Sequence, residues 1–176
     1  MTLLLLYLLA LLDGLLCGLR ASMGRYPLIQ KRRYYMYAIF RGVVGAQIVS
    51  SLALIALALT ALFYPHRDAL RADLEFSANR MLWIFLPYAA LVLFNLALRR
   101  LPSTDIRSAT SVFMLGPLTA IRPLVMIAGI LYGISASHLI ATRLLALFVL
   151  TLMLTLEVTL NRRAARAQSL QIRQLV

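Results

Sequence analysis

The chain has 176 residues, of which 62% are hydrophobic and 14% charged, with a mean hydropathy of +0.85. Soluble domains are about 45–50% apolar and roughly 25% charged, so this composition excludes an ordinary water-soluble fold and makes a bilayer part of the solvent. The net charge of +12 comes from 18 basic residues, all but one of them arginine, against six acids. They sit between apolar runs, where the positive-inside rule places them. That distribution argues against nucleic acid as a partner and for contact with anionic lipid headgroups at the cytoplasmic face.

A helix crosses a bilayer core of roughly 30 Å with about 20 mostly apolar residues. The first such run, about residues 2–20, is interrupted by Asp13 and contains the single cysteine, Cys17. One cysteine permits no intramolecular disulfide. Leu16 directly before it spoils a lipoprotein cleavage site, and no basic segment precedes the run as in a secretory signal. The segment therefore reads as a retained transmembrane helix with Cys17 as a small packing residue. Arg20, Arg25, Lys31, Arg32 and Arg33 follow without an intervening acid.

The second span covers about 37–63 and carries Arg41 and Gln47 in its first half. Residues 64–80 then balance three arginines with three acids. Arg71 and Glu75 stand four apart, which predicts a short outer loop helix over 66–79. A third span, 81–98, has Trp83 near its outer end as an interfacial anchor and a bend at Pro87. Arg99, Arg100 and Arg107 flank the next loop. The fourth apolar stretch, 111–134, is predicted to be broken at Gly116-Pro117 and at Arg122-Pro123. A nearly uncharged turn leads into the fifth span, 138–160, and a basic tail, 161–176, follows. The tail is predicted to lie along the membrane as an amphipathic helix.

Basic and neutral loops alternate, which gives five spans oriented N-out and C-in. The predicted fold class is thus an all-α, polytopic membrane helix bundle, one transmembrane domain over residues 1–176, in a cell membrane of the bacterial inner-membrane type. No internal repeat is evident, and an odd span count does not suit a simple inverted duplication.

Candidate functional residues are the ionisable and polar groups inside the spans, because charge there is costly and marks function by default. They are Asp13, Arg20, Arg41, Gln47, Arg122 and Glu157. Gly14 and Gly18 form a small-xxx-small pair on the first span, and Gly42 and Ala46 a similar pair on the second, so the two helices are predicted to approach closely. Judged by depth along the helices, at 1.5 Å per residue, Asp13 is predicted to pair with Arg41. Such a pair either locks helix packing or serves as a relay or gate. Glu157 is expected to meet Arg20, Arg99 or Arg100. Arg122 sits either near mid-membrane or one turn deep, according to where its helix starts.

No metal or cofactor is predicted. His66 and His138 have no acid or histidine at ligand spacing, and no P-loop, Rossmann or nucleophile-elbow pattern occurs. Asp13-Gly14 with Arg20 lacks the downstream aspartates of membrane enzymes that transfer CDP-linked alcohols. Three functions are compatible with this reading. The first is a homo-oligomeric channel-, pore- or transport-like module. The second is an accessory integral subunit of a larger membrane complex. The third is a lipid- or isoprenoid-processing enzyme with Asp13 as base and arginines on phosphate.

Overall fold

The computed structural model describes residues 1–23, 32–98 and 116–175. They form an all-helical bundle of α1 (Thr2–Met23), α2 (Arg32–Phe63), α3 (Arg67–Leu98), α4 (Gly116–Ser135) and α5 (Ile140–Leu175). Three segments are long and apolar enough to cross a membrane: Ile39–Phe63, Arg67–Leu98 and Ile140–Thr159. Thr2–Gly18 and Ala120–Ser135 are shorter apolar helices. Together they point to a membrane location.

The helix ends follow from local chemistry. α2 stops at Phe63 because Pro65 disfavours a helical conformation at Tyr64, and the Tyr64 amide closes the last turn on the Thr60 carbonyl at 2.9 Å. α3 starts one residue after His66, whose carbonyl accepts from the Leu70 amide at 3.1 Å. Asp68 in its first turn suits the positive end of the helix dipole. Pro117 stands second in α4, where a missing amide hydrogen costs nothing.

In three places the structure differs from the sequence-based expectation. The short helix over 66–79 and the span 81–98 are one continuous helix, α3, of 32 residues. Its polar first part looks like a loop by composition, yet contains no glycine or proline to end a helix. α4 runs unbroken through Arg122-Pro123, so the proline removes one hydrogen bond without dividing the helix. The fifth span and the basic tail are likewise a single 36-residue helix, about 54 Å long. The predicted segment 111–115 lies outside the described residues.

α1 lies along α2 and α3, α2 lies along α5, and α4 joins α5 to α3. The spatial order is therefore a ring: α1, α2, α5, α4, α3 and back to α1. α2 and α3, though joined by a short turn, do not run along each other. One apolar core, between α3, α4 and α5, holds Met81, Met126, Ile130, Ala146 and Leu150. A second, between α1 and α3, centres on Leu16 and Val92.

Two seams depend on missing side chains. A β-carbon on Gly14 would stand 2.6 Å from the Ala46 β-carbon and 2.7 Å from the Gly42 carbonyl oxygen. One on Gly42 would meet the Gly14 carbonyl and lie 2.7 Å from the Gly18 nitrogen. Backbone thus meets backbone between α1 and α2, the close approach that small residues permit in membranes. The α3–α4 seam is similar: Phe85 occupies the space over Gly129, Met81 that over Gly133, and the Ser77 hydroxyl donates to the Gly133 carbonyl at 2.7 Å.

Candidate functional site: a buried ion cluster beneath an apolar chamber

Arg122 projects from α4 into the middle of the ring and is only 2% exposed. Its Nε donates to Asp13 Oδ1 and its Nη2 to Asp13 Oδ2, both at 2.5 Å. This is the two-pronged geometry for which a planar guanidinium is built. The third nitrogen, Nη1, lies 2.6 Å from Glu157 Oε2 on α5, at ion-pair distance without hydrogen-bond alignment. Asp13 and Glu157 are each 8% exposed. One cation therefore ties three helices together, α1, α4 and α5. Charges so far from water persist only when paired, because desolvation costs several kcal/mol per ion.

The predicted Asp13–Arg41 pair is not formed. Both Asp13 oxygens are taken by Arg122, and Arg41 is exposed. The error is one of azimuth. Gly14 faces Gly42 across the α1–α2 seam, so Asp13 and Arg41, each one residue away, are turned by about 100° from that contact. Gln47 also stands apart from the cluster: its Oε1 accepts from the exposed Tyr7 hydroxyl at 2.7 Å. Glu157 meets Arg122, a contact not among those expected from sequence. The Arg20 side chain, Arg99 and Arg100 lie outside the described residues.

Above the cluster the ring interior holds an apolar chamber in two lobes. The larger, about 210 Å³, is bounded by all five helices, among them Ala10, Val49, Ala78, Ile130 and Ala146. The smaller, about 120 Å³, shares Leu6, Met81, Val149 and Met153 with the first and reaches down to Tyr88 and Asp13. The Tyr88 hydroxyl is buried and has no hydrogen-bond partner among the described residues.

The far end of the chamber lies near the turns at 64–66 and 136–139. There Asp73 on α3 holds the start of α5: it accepts from the Ser137 hydroxyl at 2.6 Å, the His138 amide at 3.0 Å and the Leu139 amide at 3.3 Å. Asp73 thereby pins the turn that leads into α5. The Leu139 amide is one of the donors a helix N-terminus leaves unpaired, held here by a residue more than 60 positions earlier. Arg143 closes the same turn by donating to the Ser137 carbonyl. Arg80 stacks between Phe76 and Tyr132, with ring centroids at 5.6 and 5.0 Å, and Trp83 is 72% exposed.

Sequence reasoning missed Asp73, Ser77, Tyr88 and the Gly129-Gly133 pair. Two signals were available. The glycines stand four apart in an apolar run, and Tyr88 brings a hydroxyl into the middle of a span. Among the described residues no three histidine, cysteine or acidic side chains converge as for a metal ion.

Fold and site together define the class: a polytopic helical membrane bundle with a buried three-residue ion cluster. No protein-family model, no curated protein and no solved structure matches the chain.

Proposed function

We propose that this chain is a transport-type membrane module whose helical ring receives a lipophilic cargo in a chamber that ends at the Asp13–Arg122–Glu157 cluster. The observation that carries this reading is the double engagement of Asp13, which lines the chamber and also holds Arg122. Whatever disturbs the Asp13 carboxylate changes the tie between α1 and α4, and through Arg122 the tie to α5. A coupling of this kind is what a gate requires. The chamber walls are almost wholly apolar, which suits an apolar or amphipathic molecule better than a hydrated ion. With N-out and C-in orientation, the chamber lies towards the outer leaflet and the cluster towards the cytoplasmic side. The basic segments there hold anionic headgroups.

A channel for hydrated ions needs polar walls that this interior does not supply, so that reading calls for a path between copies of the chain or along a partner subunit. The enzyme reading loses support from the geometry, since both Asp13 oxygens accept from a cation and are poorly placed to take a proton from substrate.

The test uses the protein reconstituted in vesicles with a fluorescent single-chain lipid, whose transbilayer movement is read by chemical bleaching from outside. Movement faster than in protein-free vesicles, slowed by Asp13→Asn, is expected. Equal rates with and without protein would sink the proposal. Proton or potassium flux in the same vesicles without lipid movement would move the assignment to the oligomeric channel, with light scattering in mild detergent giving the copy number.

A further inference from the structure

We infer that the chamber is a binding site for a single-chain lipid ending in a hydroxyl, with its tail in the larger lobe and its oxygen between Tyr88 and Asp13. This deepens the transport reading by naming the cargo class. It depends on that reading for movement of the cargo, and not for its binding.

Size comes first. Thr142 and Met153 both line the larger lobe. They stand eleven positions apart, about 17 Å along α5. That is close to the depth of one leaflet, half of a core roughly 30 Å thick. Access comes next. Leu3 and Leu54 line the same lobe and are 44% and 60% exposed, so the wall formed by α1 and α2 faces the surrounding hydrocarbon. A tail enters from the bilayer without passing through water.

The polar end selects the class. Buried hydroxyls nearly always find a partner, and that of Tyr88 finds none among the described residues. It borders the smaller lobe together with Asp13. A phenol donates and accepts, whereas a carboxylate only accepts; after Arg122 is satisfied, each Asp13 oxygen retains a lone pair. A ligand hydroxyl meets both demands, donating to Asp13 and accepting from Tyr88. An ammonium has no lone pair for the Tyr88 proton. A fatty-acid carboxylate brings like charge against Asp13. A plain alkane leaves the phenol as it stands.

The experiment uses the full chain in lipid nanodiscs with hexadecanol carrying a photoreactive diazirine at the tail end. Crosslinked residues are mapped by mass spectrometry, and unlabelled hexadecanol, palmitate and hexadecane serve as competitors. Labelling at residues of the larger lobe remote from Tyr88, such as Leu57, Leu74 or Leu145, is expected, competed several-fold better by hexadecanol than by palmitate or hexadecane. Tyr88→Phe is expected to weaken labelling by about two- to ten-fold, the loss of one hydrogen bond. Ala146→Phe fills the larger lobe and is expected to abolish labelling while the protein stays monodisperse.

Equal competition by the alkane, stronger competition by palmitate, or an unchanged Tyr88→Phe would each overturn the inference. So would labelling confined to bilayer-facing residues such as Leu52 and Leu91. Chamber labelling in protein that moves no lipid removes the transport reading alone; lipid movement without chamber labelling removes this inference alone.

Discussion

Replacing Arg122 by methionine removes the side chain through which Asp13 and Glu157 are joined, while keeping an unbranched residue at its place in α4. Three guanidinium nitrogens meet carboxylate oxygens at 2.5, 2.5 and 2.6 Å. Deleting one partner of a buried ion pair costs about 3–5 kcal/mol, chiefly because the other charge is left in a medium that does not solvate it. Arg122 serves two carboxylates, so the upper end, about 5 kcal/mol, is expected. At about 1.4 kcal/mol per tenfold, that is between three and four orders of magnitude in the folding constant. It is also a large fraction of a total stability of about 5–15 kcal/mol.

The control is the triple variant Asp13→Leu, Arg122→Met, Glu157→Met. It removes all three charges together and is expected within about 2 kcal/mol of the wild type, because apolar replacement of a whole buried ion cluster is often neutral or stabilising. Reversible unfolding in mixed micelles with increasing sodium dodecyl sulfate, followed by circular dichroism, measures both. The reasoning fails if the single variant costs less than about 1 kcal/mol, or if the triple variant is as unstable as the single one.

Two further outcomes follow from the seams and the cap. Gly42→Ala places a methyl against the Gly14 carbonyl and Gly18 backbone, which cannot yield, so a loss of about 1–3 kcal/mol is expected. Gly45→Ala meets only the tip of Leu156 and is expected to cost clearly less, with both melting temperatures read by size-exclusion after heating. Asp73→Ala leaves the His138 and Leu139 amides at the start of α5 without their acceptor, while the Ser137 hydroxyl keeps the Leu139 carbonyl. A loss of about 1–2 kcal/mol is expected, in the range of a removed N-cap, with faster hydrogen exchange confined to residues 137–141; uniform exchange would refute the local role.

Much of the architecture is legible in the sequence, for a physical reason. Hydrocarbon demands continuous apolar helices, so runs such as 39–63 announce themselves by length and composition alone. The polar stretch 66–80 deceived because apolar content reports burial in lipid, whereas helix continuity is decided by the absence of breakers between Arg67 and Pro87. Pro123 deceived in the opposite sense, since a single lost hydrogen bond does not end a helix held on both sides by neighbours. At the site, Asp13, Arg122 and Glu157 were recognisable one by one, as charges in apolar runs. Their meeting was not. Depth along a helix follows from counting residues, but the direction a side chain faces within the ring depends on which seams close, and those rest on Gly14, Gly42, Gly129 and Gly133. Asp73 stayed hidden because its partners stand 64 to 66 positions further along the chain.

The separation of 109 residues between Asp13 and Arg122 has a consequence for biosynthesis. The carboxylate is made first and enters the bilayer on the short apolar helix Thr2–Gly18; an aspartate at such a depth opposes insertion by about 2.5–3.5 kcal/mol. Its counter-ion arrives only when α4 has left the ribosome, and Glu157 later still. The first helix is therefore expected to settle at its final depth after the fourth has been delivered. A chain halted before Arg122 is expected to leave α1 exposed to extraction and to membrane quality control.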